Sequence, residues 1–133
     1  MMKKKLPLLL LVFFALAAQS ISAQRLIKSG STFGKIESNG DIRMSGSIVG
    51  KFESNGGIRV HGSIAGKIES DGSIRKRGSI IGKVESNGSV RISGSIVGKI
   101  ESNGSVRKSG SIIGSAVGVD SKQAAVIFFF DFF

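Results

Sequence analysis

Gly34-Lys35-Ile36-Glu37-Ser38-Asn39-Gly40-Asp41-Ile42-Arg43-Met44-Ser45-Gly46-Ser47-Ile48-Val49 recurs, nearly unchanged, from Gly50, Gly66, Gly82 and Gly98. The five copies of sixteen residues abut without insertion or deletion through Ile113. A half-copy, Leu26 to Phe33, precedes them, and Gly114-Ser115-Ala116-Val117 begins a sixth that decays. Registry of this kind marks a repeat architecture, in which each unit buries its apolar face only against its neighbours.

The columns carry the physics. The third position is Ile36, Phe52, Ile68, Val84, Ile100; the ninth is Ile42, Ile58, Ile74, Val90, Val106; the fifteenth is Ile48, Ile64, Ile80, Ile96, Ile112. All are β-branched or aromatic, and charged residues such as Lys35, Glu37 and Arg43 alternate with them. That period of two is the signature of half-buried strands, and no stretch shows the period of an amphipathic helix. Ser-Asn-Gly and a second glycine column from Gly46 to Gly110 mark corners, because Asn and Gly accept positive φ with little strain.

Two all-β architectures fit. In a single-stranded β-solenoid each copy is one sixteen-residue coil, giving five full coils plus partial end coils. Like residues then stack about 4.8 Å apart in parallel ladders, with the three apolar columns as the core. In the rival, Asn-Gly is a hairpin signal and the chain is an antiparallel meander. The solenoid is preferred here, since stacking like upon like selects near-identity at every sixteenth residue.

Residues 1–23 read as an export signal rather than part of the fold. Lys3 to Lys5 are followed by an apolar run from Leu6 to Ala18 and a small-residue stretch ending at Ala23. The run is shorter than the ~20 residues of a membrane-spanning helix. Removing it takes three of the nineteen basic residues and none of the nine acids, so the net charge falls from +10 to +7. The domain plan is a signal peptide (1–23), the solenoid (24–118) and an apolar C-terminal cap or docking tail (119–133). The expected location is exported: periplasmic, outer-membrane-associated or extracellular.

Gly98-Lys99-Ile100-Glu101-Ser102-Asn103-Gly104-Ser105-Val106-Arg107, with Gly110-Ser111-Ile112-Ile113-Gly114, resembles the bactofilin pattern of G-x-I, a polar turn, an apolar pair and G-x-V-x-G-x-I. The resemblance implies a right-handed β-helix that polymerises end to end without nucleotide and associates with membranes. Two features depart from it. Bactofilins are typically cytoplasmic, and the column Met44, Val60, Lys76, Ile92, Lys108 places lysine where that family has an inward apolar residue.

Composition closes several chemical doors. With no cysteine and one histidine, the chain offers neither a Cys-based zinc site nor a Ser/His relay. Gly46-Ser47-Ile48-Val49-Gly50-Lys51 falls one residue short of a phosphate loop. No catalytic, cofactor or metal residue is nominated, and an enzyme is not expected, because repeated side chains form no asymmetric cluster of acid, base and nucleophile. Nucleic acid is not an expected partner either, there being no Tyr or Trp to stack on bases.

Three features remain as candidate sites. Arg43, Arg59, Arg75, Arg91 and Arg107 form a stripe that could hold anionic lipid or an acidic glycan, or simply belong to a solvated surface interleaved with Glu. The sixteenth column (Val49, Ala65, Ile81, Val97, Ile113) alternates with the inward isoleucines and is expected to face outward, a candidate self-association stripe. Phe128, Phe129, Phe130, Phe132 and Phe133 crowd the tail as a cap, a subunit contact or a membrane contact. The leading expectation is an exported structural protein that self-assembles into oligomers or filaments. The alternative is a non-catalytic module whose Arg/Lys stripes bind an anionic envelope polymer or lipid surface.

Overall fold

The structure, a computed structural model, describes residues 24–133; the segment read as an export signal lies outside them. It contains β1 (Arg25–Lys28), β2 (Ser31–Ile36), β3 (Asp41–Met44), β4 (Ser47–Phe52), β5 (Gly57–Val60), β6 (Ser63–Ile68), β7 (Ser73–Lys76), β8 (Ser79–Val84), β9 (Ser89–Ile92), β10 (Ser95–Ile100), β11 (Ser105–Lys108), β12 (Ser111–Val117) and one helix, α1 (Ser121–Phe129). Each strand pairs antiparallel with the next, and β1 pairs with β12, Leu26 opposite Ala116, to close a barrel.

The all-β expectation is met, but the solenoid is not. The chain is the meander, closed into a ring. The sixteen-residue identity has a different cause from stacked coils: one copy supplies two strands and two turns, and rotation about the barrel axis gives each copy equivalent neighbours. Closure also removes the free strand edges on which end-to-end templating would depend.

Two kinds of turn alternate between the rims. At one rim, Ser45-Gly46 has φ of 51° and 83°, and the equivalent pairs at 29–30, 61–62, 77–78, 93–94 and 109–110 match it. Positive φ at both central residues defines the type I′ hairpin turn, whose twist suits antiparallel strands. At the other rim, Ser38-Asn39-Gly40 makes a three-residue loop, with Gly40 at φ 96° and the Asn39 side chain accepting from the Asp41 N–H at 3.0 Å. Ser93→Asn places the preferred Asn-Gly pair in a type I′ turn without changing charge. It is expected to stabilise the fold by about 0.5–1 kcal/mol, read as a rise in thermal midpoint.

A β-bulge in each two-residue-turn hairpin decides which residues face the core. Ile42 lies opposite Gly50 and Arg43 opposite Ile48, so Val49 has no partner of its own. One unpaired residue inverts the faces beyond it. Two sequence expectations are therefore exchanged. The fifteenth column, expected in the core, is outside, with Ile48, Ile64, Ile80, Ile96 and Ile112 between 49% and 56% exposed. The sixteenth column, expected outside, is half-buried, and Val49, Ala65, Ile81, Val97 and Ile113 pack against the core.

The third- and ninth-position residues do line the interior, with Ile42, Ile58, Ile74, Val90 and Val106 fully buried. They do not fill it. Eight strands already make a barrel just wide enough for wall side chains to fill, and twelve leave a lumen. The C-terminal segment occupies that space. Asp120 caps α1 by accepting from the N–H groups of Lys122 and Gln123, and Ala124, Ala125 and Val126 are wholly buried. Because this helix is surrounded by the barrel, it is apolar on most sides and carries no amphipathic period for the sequence to reveal.

The phenylalanines follow a rule. Gly50, Gly66, Gly82, Gly98 and Gly114 occupy equivalent positions, each opposite an inward-facing residue or another wall position of the neighbouring strand. The rings of Phe133, Phe132, Phe130, Phe129 and Phe128 lie, in that order, directly over them. A methyl group at Gly82 would come within 2.5 Å of Phe130, and one at Gly66 within 2.7 Å of Phe132. The tail thus runs around the inside of the wall against chain order, one ring per hairpin. The first hairpin, β1–β2, is served instead by Phe33, which meets Phe128 edge-on at 5.7 Å. The tail expected to cap a coil end or dock a partner or membrane packs, except for Phe133, into the core of the molecule.

Candidate functional site

With the interior filled, the outer wall carries the side chains available to a partner. There each Arg sits between an Ile of its own hairpin and a Lys of the preceding one. Arg43 lies opposite both Ile48 and Lys35, Arg59 opposite Ile64 and Lys51, and Arg75 opposite Ile80 and Lys67. Arg91 similarly lies opposite Ile96 and Lys83, and Arg107 opposite Ile112 and Lys99. Cross-strand partners share a face, so these are five copies of one Ile-Arg-Lys row.

The nominated arginines are not free forks. Arg43 Nε donates to Glu37 at 2.9 Å and its Nη1 donates to the carbonyl of turn residue Gly46 at 3.1 Å. Arg91 makes the same contacts with Glu85 and Gly94, at 2.8 and 3.0 Å, and Arg107 with Glu101 and Gly110. Arg59–Glu53 and Arg75–Glu69 complete the set. Each guanidinium ties the wall to its hairpin tip, and its charge is matched by a carboxylate. These are partly exposed pairs of modest individual worth, about 0–1 kcal/mol. The unmatched charge lies on the lysines: among the described residues, Lys51, Lys67, Lys83 and Lys99 have no ion pair, and Lys35 reaches Glu37 only at 3.8 Å.

Open grooves run between adjacent hairpins. One of about 470 Å³ is lined by Ile96, Lys99, Arg107 and Lys108, and its neighbour of about 600 Å³ by Ile80, Lys83, Arg91 and Ile92. Each combines an exposed apolar side chain with a free ammonium. The opposite rim is chemically different. Asp71 replaces the Asn of the other turns there, and the Ser73 backbone N–H and hydroxyl, aided by the Lys83 charge, hold its carboxyl below the ordinary aspartate range.

A family model described as a 5-fold beta-flower protein matches residues 22–133. The chain belongs to that family. No curated protein and no solved structure matches it. The bactofilin resemblance is thereby overturned: G-x-I repeats with polar turns serve a closed antiparallel ring as well as a stacked coil. In this beta-flower chain five near-identical copies and the less regular first hairpin together close six hairpins.

Sequence reasoning named the Arg column and missed the Ile column as surface. Of the nine residues it nominated for self-association, eight (Val49, Ile81, Val97, Ile113, Phe128, Phe129, Phe130 and Phe132) are brought together inside the beta-flower, as parts of its own core or packed against it, and Phe133 is left 36% exposed.

Proposed function

We propose that this beta-flower protein is an exported, non-catalytic binding module that holds an anionic component of the cell envelope on its outer wall. The observation that carries this is the fourfold repetition, at Lys51, Lys67, Lys83 and Lys99, of an unpaired lysine beside a neutralised Arg–Glu pair. A closed barrel whose side chains are fixed by pairing presents these ammonium groups at constant spacing. Weak single contacts then sum through multivalency. The alternative of a self-assembling filament drew on free edges, the sixteenth column and the tail. Those elements are committed within one molecule, so they lend it no support.

Binding of fluorescent dextran sulfate should be readily measurable at low salt and should weaken at least about tenfold when salt rises from roughly 50 to 300 mM. Replacing Lys51, Lys67, Lys83 and Lys99 by Gln should cause a similar loss while leaving the thermal melt unchanged. Undiminished binding by that variant would remove the reading.

A further inference from the structure

The two rims of the barrel differ in charge. Around the type I′ turns stand Lys28, Lys76, Arg77 and Lys108, with His61 in one turn. No acid belongs to those turns or to the residues flanking them. Glu37, Glu53, Glu69, Glu85, Glu101, Asp41 and Asp71 all adjoin the Ser-Asn-Gly turns of the opposite rim, the glutamates leaning along the wall to reach their arginines. The tail brings one acid toward the cationic rim, Asp131, whose backbone carbonyl accepts from Lys76 Nζ at 3.1 Å. Lys76 also lies over the Phe132 ring at 5.1 Å.

The exposed isoleucines stand near this same cationic rim. Each follows its turn glycine by two residues, as Ile48 follows Gly46. At about 3.3 Å per residue, that sets it about 7 Å below the tip. Five exposed Ile side chains therefore form a crown just behind a basic edge. It is broken only at the first hairpin, where Thr32 takes the Ile position opposite Ile27.

We infer that this rim docks onto an anionic bilayer surface, the tips entering the headgroup layer and the Ile crown reaching the acyl boundary. The inference rests on the anionic-partner reading and narrows it to a membrane. Two observations carry it beyond a soluble polyanion. A polyanion has no use for five half-exposed isoleucines, whereas interfacial binding combines apolar burial about 5–10 Å deep with attraction to anionic headgroups. A flat surface can also meet all the tips of one rim at once, which a side-on contact cannot. A second copy of the chain is the poorer occupant, because it would set like-charged rims together.

The test is co-sedimentation of the purified protein with phosphatidylcholine vesicles, with and without about one-third phosphatidylglycerol. Binding is expected only to the anionic vesicles, and to fall at least about tenfold in Ile48→Ser/Ile80→Ser/Ile112→Ser and in Lys28→Gln/Arg77→Gln/Lys108→Gln. All six positions are solvent-facing, and unchanged melts would establish that both variants fold. Equal vesicle binding by the Ile variant would overturn the inference. Binding of dextran sulfate without vesicles would overturn it while sparing the anionic-partner reading, and binding of neither would end both. An oligomer that dissociates on the Ile substitutions, with no vesicle binding, would assign the crown to a second copy instead.

Discussion

Deletion of residues 128–133 is expected to abolish the folded barrel at room temperature. The segment removes five rings that lie over five wall glycines, among them Phe130 and Phe132, which are 4% and 7% exposed. Truncating one buried Phe to Ala costs about 3–5 kcal/mol, and domains of this size have about 5–15 kcal/mol in total. Two such losses, at Phe130 and Phe132, consume most of that margin, and the partly buried Phe128 and Phe129 add to them. The glycines cannot compensate, since they have no side chains to collapse into the emptied lumen. Circular dichroism melting and limited proteolysis would check this, with Phe130→Ala alone expected to melt well below the parent. A truncated chain that still melts cooperatively within a few degrees of the parent would show that the wall supports itself.

Gly82→Ala is expected to destabilise by about 3 kcal/mol, at the upper end of the usual overpacking cost. The added methyl meets two obstacles: the Phe130 ring at 2.5 Å and the backbone carbonyl of Arg91. A ring can shift, but a carbonyl in a strand ladder cannot move without breaking the pairing between β8 and β9. Most of the cost should therefore persist in a Phe130→Ala background. Gly34→Ala supplies the control. It meets the equivalent carbonyl, that of Arg43, but no tail ring, only Met44 Cγ at 3.4 Å. The difference between the two substitutions, measured by urea unfolding, isolates the aromatic part. Equal costs would mean that the rings contribute nothing at these glycines.

More of the topology was legible than the solenoid reading used. Both ends of each copy carry hairpin turn chemistry, Ser-Asn-Gly and residue-Gly, and two hairpin turns per sixteen residues already describe a meander. The bulge was legible as well. Across the two-residue turn at 45–46, plain pairing would set Ile42 opposite Val49 and so turn Lys51 inward and Phe52 outward. Keeping Ile42 and Phe52 on one face requires one unpaired residue, and the structure places it at Val49. Strict alternation from Phe52, ignoring the turn, put the isoleucines of the fifteenth column inside. At the candidate site, the Arg column was visible as charge. Its pairing with Glu six residues earlier was not, because that contact depends on the Glu side chain leaning along the wall toward the next strand.

By itself the sequence determined the strands, the turns and the sixteen-residue unit, because these follow from backbone sterics and local alternation. Closure, the lumen and the role of the tail were decided only in three dimensions. Whether the ends of a meander meet depends on strand number and tilt, and neither is a local property of any repeat. Once twelve strands close, the wall encloses more space than its own side chains can fill. The tail phenylalanines that read as a cap, a subunit contact or a membrane contact in one dimension fill that space, Phe130 and Phe132 most deeply.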